Sequence, residues 1–258
     1  MKKRHLITPI YQTAIYLFLY TPIFILIVLS FNNAKFSMVW HGASLQWYQQ
    51  LFDDSDIWVA AWHSLLVGTL SATIATTIGT LGAVSLYRYR FFGRKLLYGL
   101  IFILIVAPDI VTGVSLLTVY SLINFPLGFW SLLLAHVTFS IPFAMITVYS
   151  RLIGLDENIF EAAKDLGAKD WTIFFNIMLP LLKSALLASW LLCFTLSLDD
   201  VIISYFVTGP DFQILPLQIY SMVRSGINPE VNALCAILFA VTLLFVIIIQ
   251  LIMRKKKA

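Results

Sequence analysis

The sequence predicts an all-α polytopic membrane protein with six transmembrane helices. Three observations carry this. Apolar residues make up 60% and charged residues 12% of the chain, against about 45–50% and about 25% in soluble proteins. Six apolar stretches are long enough to cross a hydrocarbon core about 30 Å thick. The basic residues also concentrate in alternate connections between those stretches, the pattern that orients membrane helices.

The spans are expected at 11–31, 59–86, 96–123, 129–149, 181–206 and 231–253, in one transmembrane domain covering 1–258. The first follows Lys2, Lys3 and Arg4. It is too long for a signal peptide and lacks a small-residue cleavage site, so it reads as an uncleaved span. The second carries Gly68, Ala72, Ala75, Gly79 and Gly82 in steps of four and three. Such a stripe lets helix backbones approach closely in lipid. Packing within the chain is the preferred reading, and a partner-subunit contact is the alternative.

Fifteen of the seventeen lysines and arginines fall on one side: Lys2–Arg4, Arg88–Lys95, Arg151–Lys183 and Arg254–Lys257. Lys35 and Arg224 fall on the other, with Asp53, Asp54, Asp56, Asp211 and Glu230. Both termini and the connection 151–180 are therefore expected in the cytoplasm. The net charge of +4 follows from this asymmetry and does not indicate nucleic acid. Cys193 and Cys235 lie within apolar runs, without redox or metal-ligand spacing.

The connection 151–180 is the polar centre of the chain. Ile159, Ala162, Ala163 and Leu166 recur at helical spacing, which predicts a short helix with that apolar face inward. Phe160, Glu161, Lys164 and Asp165 then face outward. Asp156 or Asn158 is placed to cap its start, and Asn158 with Glu161 has capping-box spacing. Gly167 supplies the left-handed residue that ends it. A second short helix from Asp170 is expected to stop by Leu179, because proline disfavours a helical residue before it. Pro180 suits the first turn of the next helix.

Glu161-Ala162-Ala163, three residues, Gly167, nine residues, then Ile177-x-Leu179-Pro180 resembles the "EAA loop" of ABC-importer permeases without a gap. The resemblance implies a type I importer permease-like fold. It also implies a cytoplasmic helix-turn-helix whose first helix docks on the ATPase subunit. Glu161, Ala162, Ala163, Gly167, Ile177, Leu179 and Pro180 would then couple this chain to ATP hydrolysis in the partner.

Ionisable groups within spans are costly and normally face protein or water. The third span has Asp109, the fourth His136, and the fifth Asp199 and Asp200. At about 1.5 Å per residue, Asp109 lies about 20 Å and Asp199 about 24 Å from the basic side, and His136 about 10 Å below the other surface. Pro108 and Pro142, near Asp109 and His136, would loosen their helices locally. A substrate pathway lined by these groups is one reading. The alternatives are a helix end, hydroxyl or lysine partner for each acid and a neighbouring helix for His136.

Acids without matching intramembrane lysines favour a cationic substrate. Ser197-Leu198-Asp199-Asp200, Phe206–Pro210, Pro108–Val111, Leu86–Arg90 and Pro229–Leu234 resemble the spermidine/putrescine permeases of ABC importers, from the first span to the last. This implies two ATPase copies, a second homologous permease and a periplasmic polyamine-binding protein as partners, in a bacterial inner membrane. Between Gly209 and Glu230 a short helix near Leu217, Tyr220, Met222 and Val223 is expected. Tyr220 would contact the binding protein, line an outer gate, or anchor the segment at the interface.

No G-x-x-x-x-G-K-[ST] loop occurs, so no ATP site is expected in this chain, and no cofactor or metal. An ion-coupled secondary transporter of an organic cation is the main rival. It would show repeats with broken helices in both halves and has no use for the helix-turn-helix. An intramembrane enzyme built on His136 lacks a nucleophile and a second histidine.

Overall fold

The computed structural model describes residues 4–34, 39–226 and 229–255; Lys2, Lys3, Lys35, Lys256 and Lys257 lie outside the described residues. The described residues form helices, with one isolated antiparallel bridge between Asn32 and Ala43. They divide into two compact units, one of 1–58 with 219–258 and one of 59–218.

In the first unit, α1 (Arg4–Leu29) and α12 (Pro229–Lys255) pack together, and α12 also packs on α2 (Gln46–Asp53). The amphipathic α2 buries Trp47 and Leu51. Its Trp47 indole N–H donates to the Asn32 carbonyl at 2.7 Å. The Asn32 side chain in turn donates to the Val39 carbonyl and accepts from the His41 N–H, both at 2.8 Å. The buried asparagine thus closes the loop after α1, each polar group satisfied as burial requires.

The second unit holds most of α3 (Ser55–Arg88), then α4 (Arg94–Val106), α5 (Asp109–Leu122), α6 (Phe129–Ile153), α7 (Asn158–Asp165), α8 (Asp170–Thr172), α9 (Leu179–Asp199) and α10 (Ile202–Val207). The small-residue stripe of α3 packs within the chain. A Cβ at Gly79 would meet the Ala144 Cβ at 2.6 Å, and one at Gly82 would meet Met145. At Gly68 the neighbour is the Phe194 ring. Ala72 and Ala75 are fully buried. Helix α3 therefore lies directly against α6 and α9.

Among the described residues, four helices are long and apolar enough to cross a membrane: Tyr11–Leu29, Ser55–Arg88, Phe129–Ile153 and Asp170–Asp199. The expected third span is not one rod. It breaks between α4 and α5, which meet at a bend of 112°. Ala107 is extended (ψ 132°) before Pro108, as the proline ring demands of its predecessor. Expecting Pro108 only to loosen the helix understated its effect. Pro142 shows the contrast, because α6 runs through it unbroken. The expected fifth span likewise ends at Asp199, and α10 restarts at Ile202. Of α12, the apolar stretch Pro229–Leu244 is shorter than a full crossing among the described residues.

Pro180 does not stop the helix before it, contrary to expectation. α8 passes through a π-helical turn, Ile173–Met178, straight into α9. Proline lacks an N–H and clashes with the carbonyl four residues back. A π turn, bonded five residues back, changes that register immediately before the ring. Residues 170–199 therefore form one element, which starts directly after the turn at Gly167.

Candidate functional site

Two places carry the residues singled out by sequence. The first is the helix-turn-helix around Gly167. Gly167 is left-handed (φ 81°), and the Ala168 N–H reaches back to the Ala163 carbonyl at 3.0 Å, so the turn closes α7 as expected. The start differs from expectation. Asn158 already belongs to α7, and the Asp156 carboxylate accepts its backbone N–H at 3.0 Å and its side-chain N–H at 2.8 Å. No Asn158–Glu161 capping box forms.

The buried face of α7 is rotated from the one expected: Ala163 is inward and Glu161, Lys164 and Asp165 outward as expected, but the other residues change places. Phe160 and Ala163 are buried, whereas Ile159, Ala162 and Leu166 face outward, Leu166 with 89% of its surface exposed. The reason is size and partners. Phe160 inserts among Leu86, Leu152, Ile173 and Met178 in one apolar cluster, and meets the edge of the Tyr87 ring at 6.4 Å. Periodicity identified a helix but assigned the wrong stripe, because a phenylalanine anchor outweighs an isoleucine-leucine pair at the ends of the helix.

Arg88, at the end of α3, forms an ion pair with Asp170 at the start of α8. A groove of about 200 Å³ opens between the end of α3 and α7, lined by Tyr87, Arg88, Glu157, Glu161 and Lys164. The Trp171 and Phe175 rings lie 4.3 Å apart in a tilted pair, and both are exposed. Ile177 is half-buried against the cluster, Leu179 half-buried and Pro180 exposed. The surface thus offers exposed apolar side chains among acids and bases, a form suited to docking on another protein. Nothing in the periodicity distinguished Phe160 as the anchor or paired Arg88 with Asp170, which lie 82 residues apart.

The second place is the break between α9 and α10. Asp200 caps α10: the Ile203 and Ser204 N–H groups donate to its carboxylate at 3.2 and 2.7 Å, and the Ser204 hydroxyl donates at 2.6 Å. His136 is fully buried, its Nδ1 2.6 Å from Ser197 Oγ and its Nε2 2.9 Å from Ser204 Oγ. Asp200 Oδ2 lies 3.6 Å from His136 Nε2. Both residues therefore have the helix-end and neighbouring-helix partners that stood as alternatives to a pathway role.

Asp199 and Asp109 differ from them. Both are exposed on this chain, and among the described residues neither has a hydrogen-bond or ion-pair partner. Asp109 sits in the first turn of α5, where the helix dipole favours a carboxylate. Helices α5 and α10 pack together through Gly113, where a Cβ would meet the Phe206 ring at 2.8 Å. The helices that begin at Asp109 and just beyond Asp199 are thus held side by side. Tyr220 lies on α11 (Leu215–Arg224), in the other compact unit, and is exposed. Sequence reasoning missed Ser197 and Ser204, although Asp200 followed after two residues by Ile203 and Ser204 is an N-cap pattern.

Comparison with known proteins agrees with this architecture. Residues 75–257 match the family described as "Binding-protein-dependent transport system inner membrane component". The spermidine/putrescine transport system permease protein PotC of Escherichia coli (strain K12) is 53% identical over 246 residues, covering 95% of this chain and 93% of that protein. The putrescine transport system permease protein PotI of the same strain is 42% identical over 229 residues, covering 86% and 81%. Among solved structures, a bacterial ABC transporter involved in the import of the acidic polysaccharide alginate superposes with a TM-score of 0.72 at 17% identity. The match covers 98% of this chain and 96% of that chain, a likeness of fold alone. The chain belongs to the family of binding-protein-dependent transport system inner membrane components.

Proposed function

We propose that this chain is a permease subunit of an ABC importer that brings polyamines, spermidine or putrescine, across the inner membrane into the cytoplasm. The observation that carries this is 53% identity over 95% of the chain to a spermidine/putrescine permease. The unpartnered Asp109 and Asp199, at helix ends where a cation could be handed on, support it.

In this reading the chain crosses the membrane six times, with α4–α5 as a broken third crossing and α12 as the sixth. Both termini and the helix-turn-helix are cytoplasmic. The exposed face Ile159–Leu166, with Glu161 beside it, docks on one of two ATPase subunits, which bind and hydrolyse ATP; this chain holds no cofactor. A second, homologous permease completes the passage, and a periplasmic binding protein delivers the polyamine at the outer side. Because Phe160 seats α7 in one cluster with Ile173 and Met178, and 170–199 is one element, ATPase closure would move α9 and the acid at its far end together with the docking surface. Asp109 and Asp199 would offset part of the desolvation of each ammonium group without trapping it.

The test is co-purification with its neighbours from membranes, followed by uptake of radiolabelled spermidine into proteoliposomes of the complex. ATP-dependent, binding-protein-dependent uptake is expected. Uptake by the chain alone, driven by an ion gradient, would replace this reading with a secondary carrier.

A further inference from the structure

The hydrogen bonds around His136 form a directed chain. The Ser204 hydroxyl gives its proton to Asp200 Oδ2 at 2.6 Å, so towards His136 the Ser204 oxygen acts as an acceptor. Nε2 of His136, 2.9 Å away, must then carry the hydrogen. That leaves Nδ1 as an acceptor, and the Ser197 hydroxyl, 2.6 Å away, donates to it. The sequence of donors runs Ser197 to His136 to Ser204 to Asp200, and ends on a carboxylate that also holds two backbone N–H groups. Every polar atom of the imidazole is used, as a fully buried histidine requires.

The chain crosses a break in the backbone. Ser197 lies in the last turn of α9 and Ser204 in α10, on either side of the extended Asp200 (ψ 122°). His136 on α6 therefore grips both halves at once, and Asp199 is the residue immediately before the break. Ser197 and Asp200 are both held by hydrogen bonds, and Asp199 between them is exposed.

We infer that His136 is a positioning residue: through Ser197, Ser204 and Asp200 it sets the angle between α9 and α10 and thereby aims Asp199 out of the packed core. Asp200, although adjacent, belongs to the grip and does not meet the substrate. This rests on the pathway reading for its consequence in transport, but its geometry is tested separately.

The experiment replaces Asp199 with cysteine in the assembled complex, with Cys235→Ala, and measures the rate of modification by a positively charged methanethiosulfonate. Introducing His136→Phe should change that rate by tenfold or more. His136→Gln, which keeps a donor and an acceptor, should stay within about threefold. An unchanged rate in His136→Phe overturns the inference. If that variant yields no complex, Ser204→Ala, which interrupts the chain at its centre, carries the same expectation and the same refutation. A changed rate together with wild-type uptake in Asp199→Asn would leave the positioning role standing and remove Asp199 from the pathway.

Discussion

Gly79 and Ala144 are in backbone contact: a Cβ on Gly79 would lie 2.6 Å from the Ala144 Cβ and 2.9 Å from the Met145 nitrogen. Neither neighbour can swing away, since one is a β-carbon and the other is main chain. Gly79→Leu should therefore force α3 from α6 and destabilise the protein by on the order of 1–3 kcal/mol. Gly99, with nothing within 4 Å, supplies the control, and Gly99→Ala should be neutral or slightly stabilising. Thermal unfolding in detergent reads both. Equal behaviour of the two variants would mean that the stripe does not set the packing of α3.

The helix-turn-helix separates stability from docking. Phe160 is buried in the cluster and Leu166 is not. Phe160→Ala should cost about 3–5 kcal/mol. Leu166→Glu should stay within about 0.5 kcal/mol of the parent yet abolish co-purification with the ATPase and polyamine uptake. Glu161→Lys should behave like Leu166→Glu. Retention of the ATPase by both surface variants would place the docking surface elsewhere.

Gly167→Val tests the turn itself. At φ 81° a β-branched residue is strongly disfavoured, while the space around it is open. The strain should therefore appear in the turn and leave the membrane helices inserted. Loss of ATP-driven uptake with normal membrane insertion is expected, measured in vesicles; wild-type uptake would show that the turn tolerates another backbone path.

The three acids should divide by their contacts. Asp109→Asn and Asp199→Asn are each expected to lower polyamine uptake tenfold or more, about 1.4 kcal/mol in activation free energy, with assembly intact. Asp200→Asn weakens the cap of α10 and should instead lower the yield or stability of the complex. Radiolabelled uptake into vesicles carrying equal amounts of complex distinguishes them. Wild-type transport by both Asp109→Asn and Asp199→Asn would assign these carboxylates no part in the pathway.

Sidedness is checked by reporter fusions. A reporter active only in the cytoplasm should work after Arg94 and after Lys169, and be silent after Asp54 and after Asp211. Consistent reversal would put the helix-turn-helix outside and end the ATPase-docking reading.

Much of this protein was legible in its residues taken in order. Apolar stretch length located four helices long enough to cross a membrane among the described residues, because a bilayer sets the length a crossing needs. The run Glu161 to Pro180 announced the helix-turn-helix and its left-handed Gly167, since backbone turns are local. What the chain order did not decide was which groups meet. Only tertiary packing chose Phe160 over Ile159 as the buried anchor, because the choice depended on the shape left between Leu86, Leu152 and Met178. Only packing let a π turn carry the helix past Pro180, and let Pro108 break one span while Pro142 left another whole. The adjacent acids Asp199 and Asp200 are alike in sequence. They differ because His136, 61 residues from Ser197 and 68 from Ser204, comes between two helix halves and ties one acid into the core. Local order decides which segments become helices; the distant partner of each buried polar atom is set only when those helices are packed.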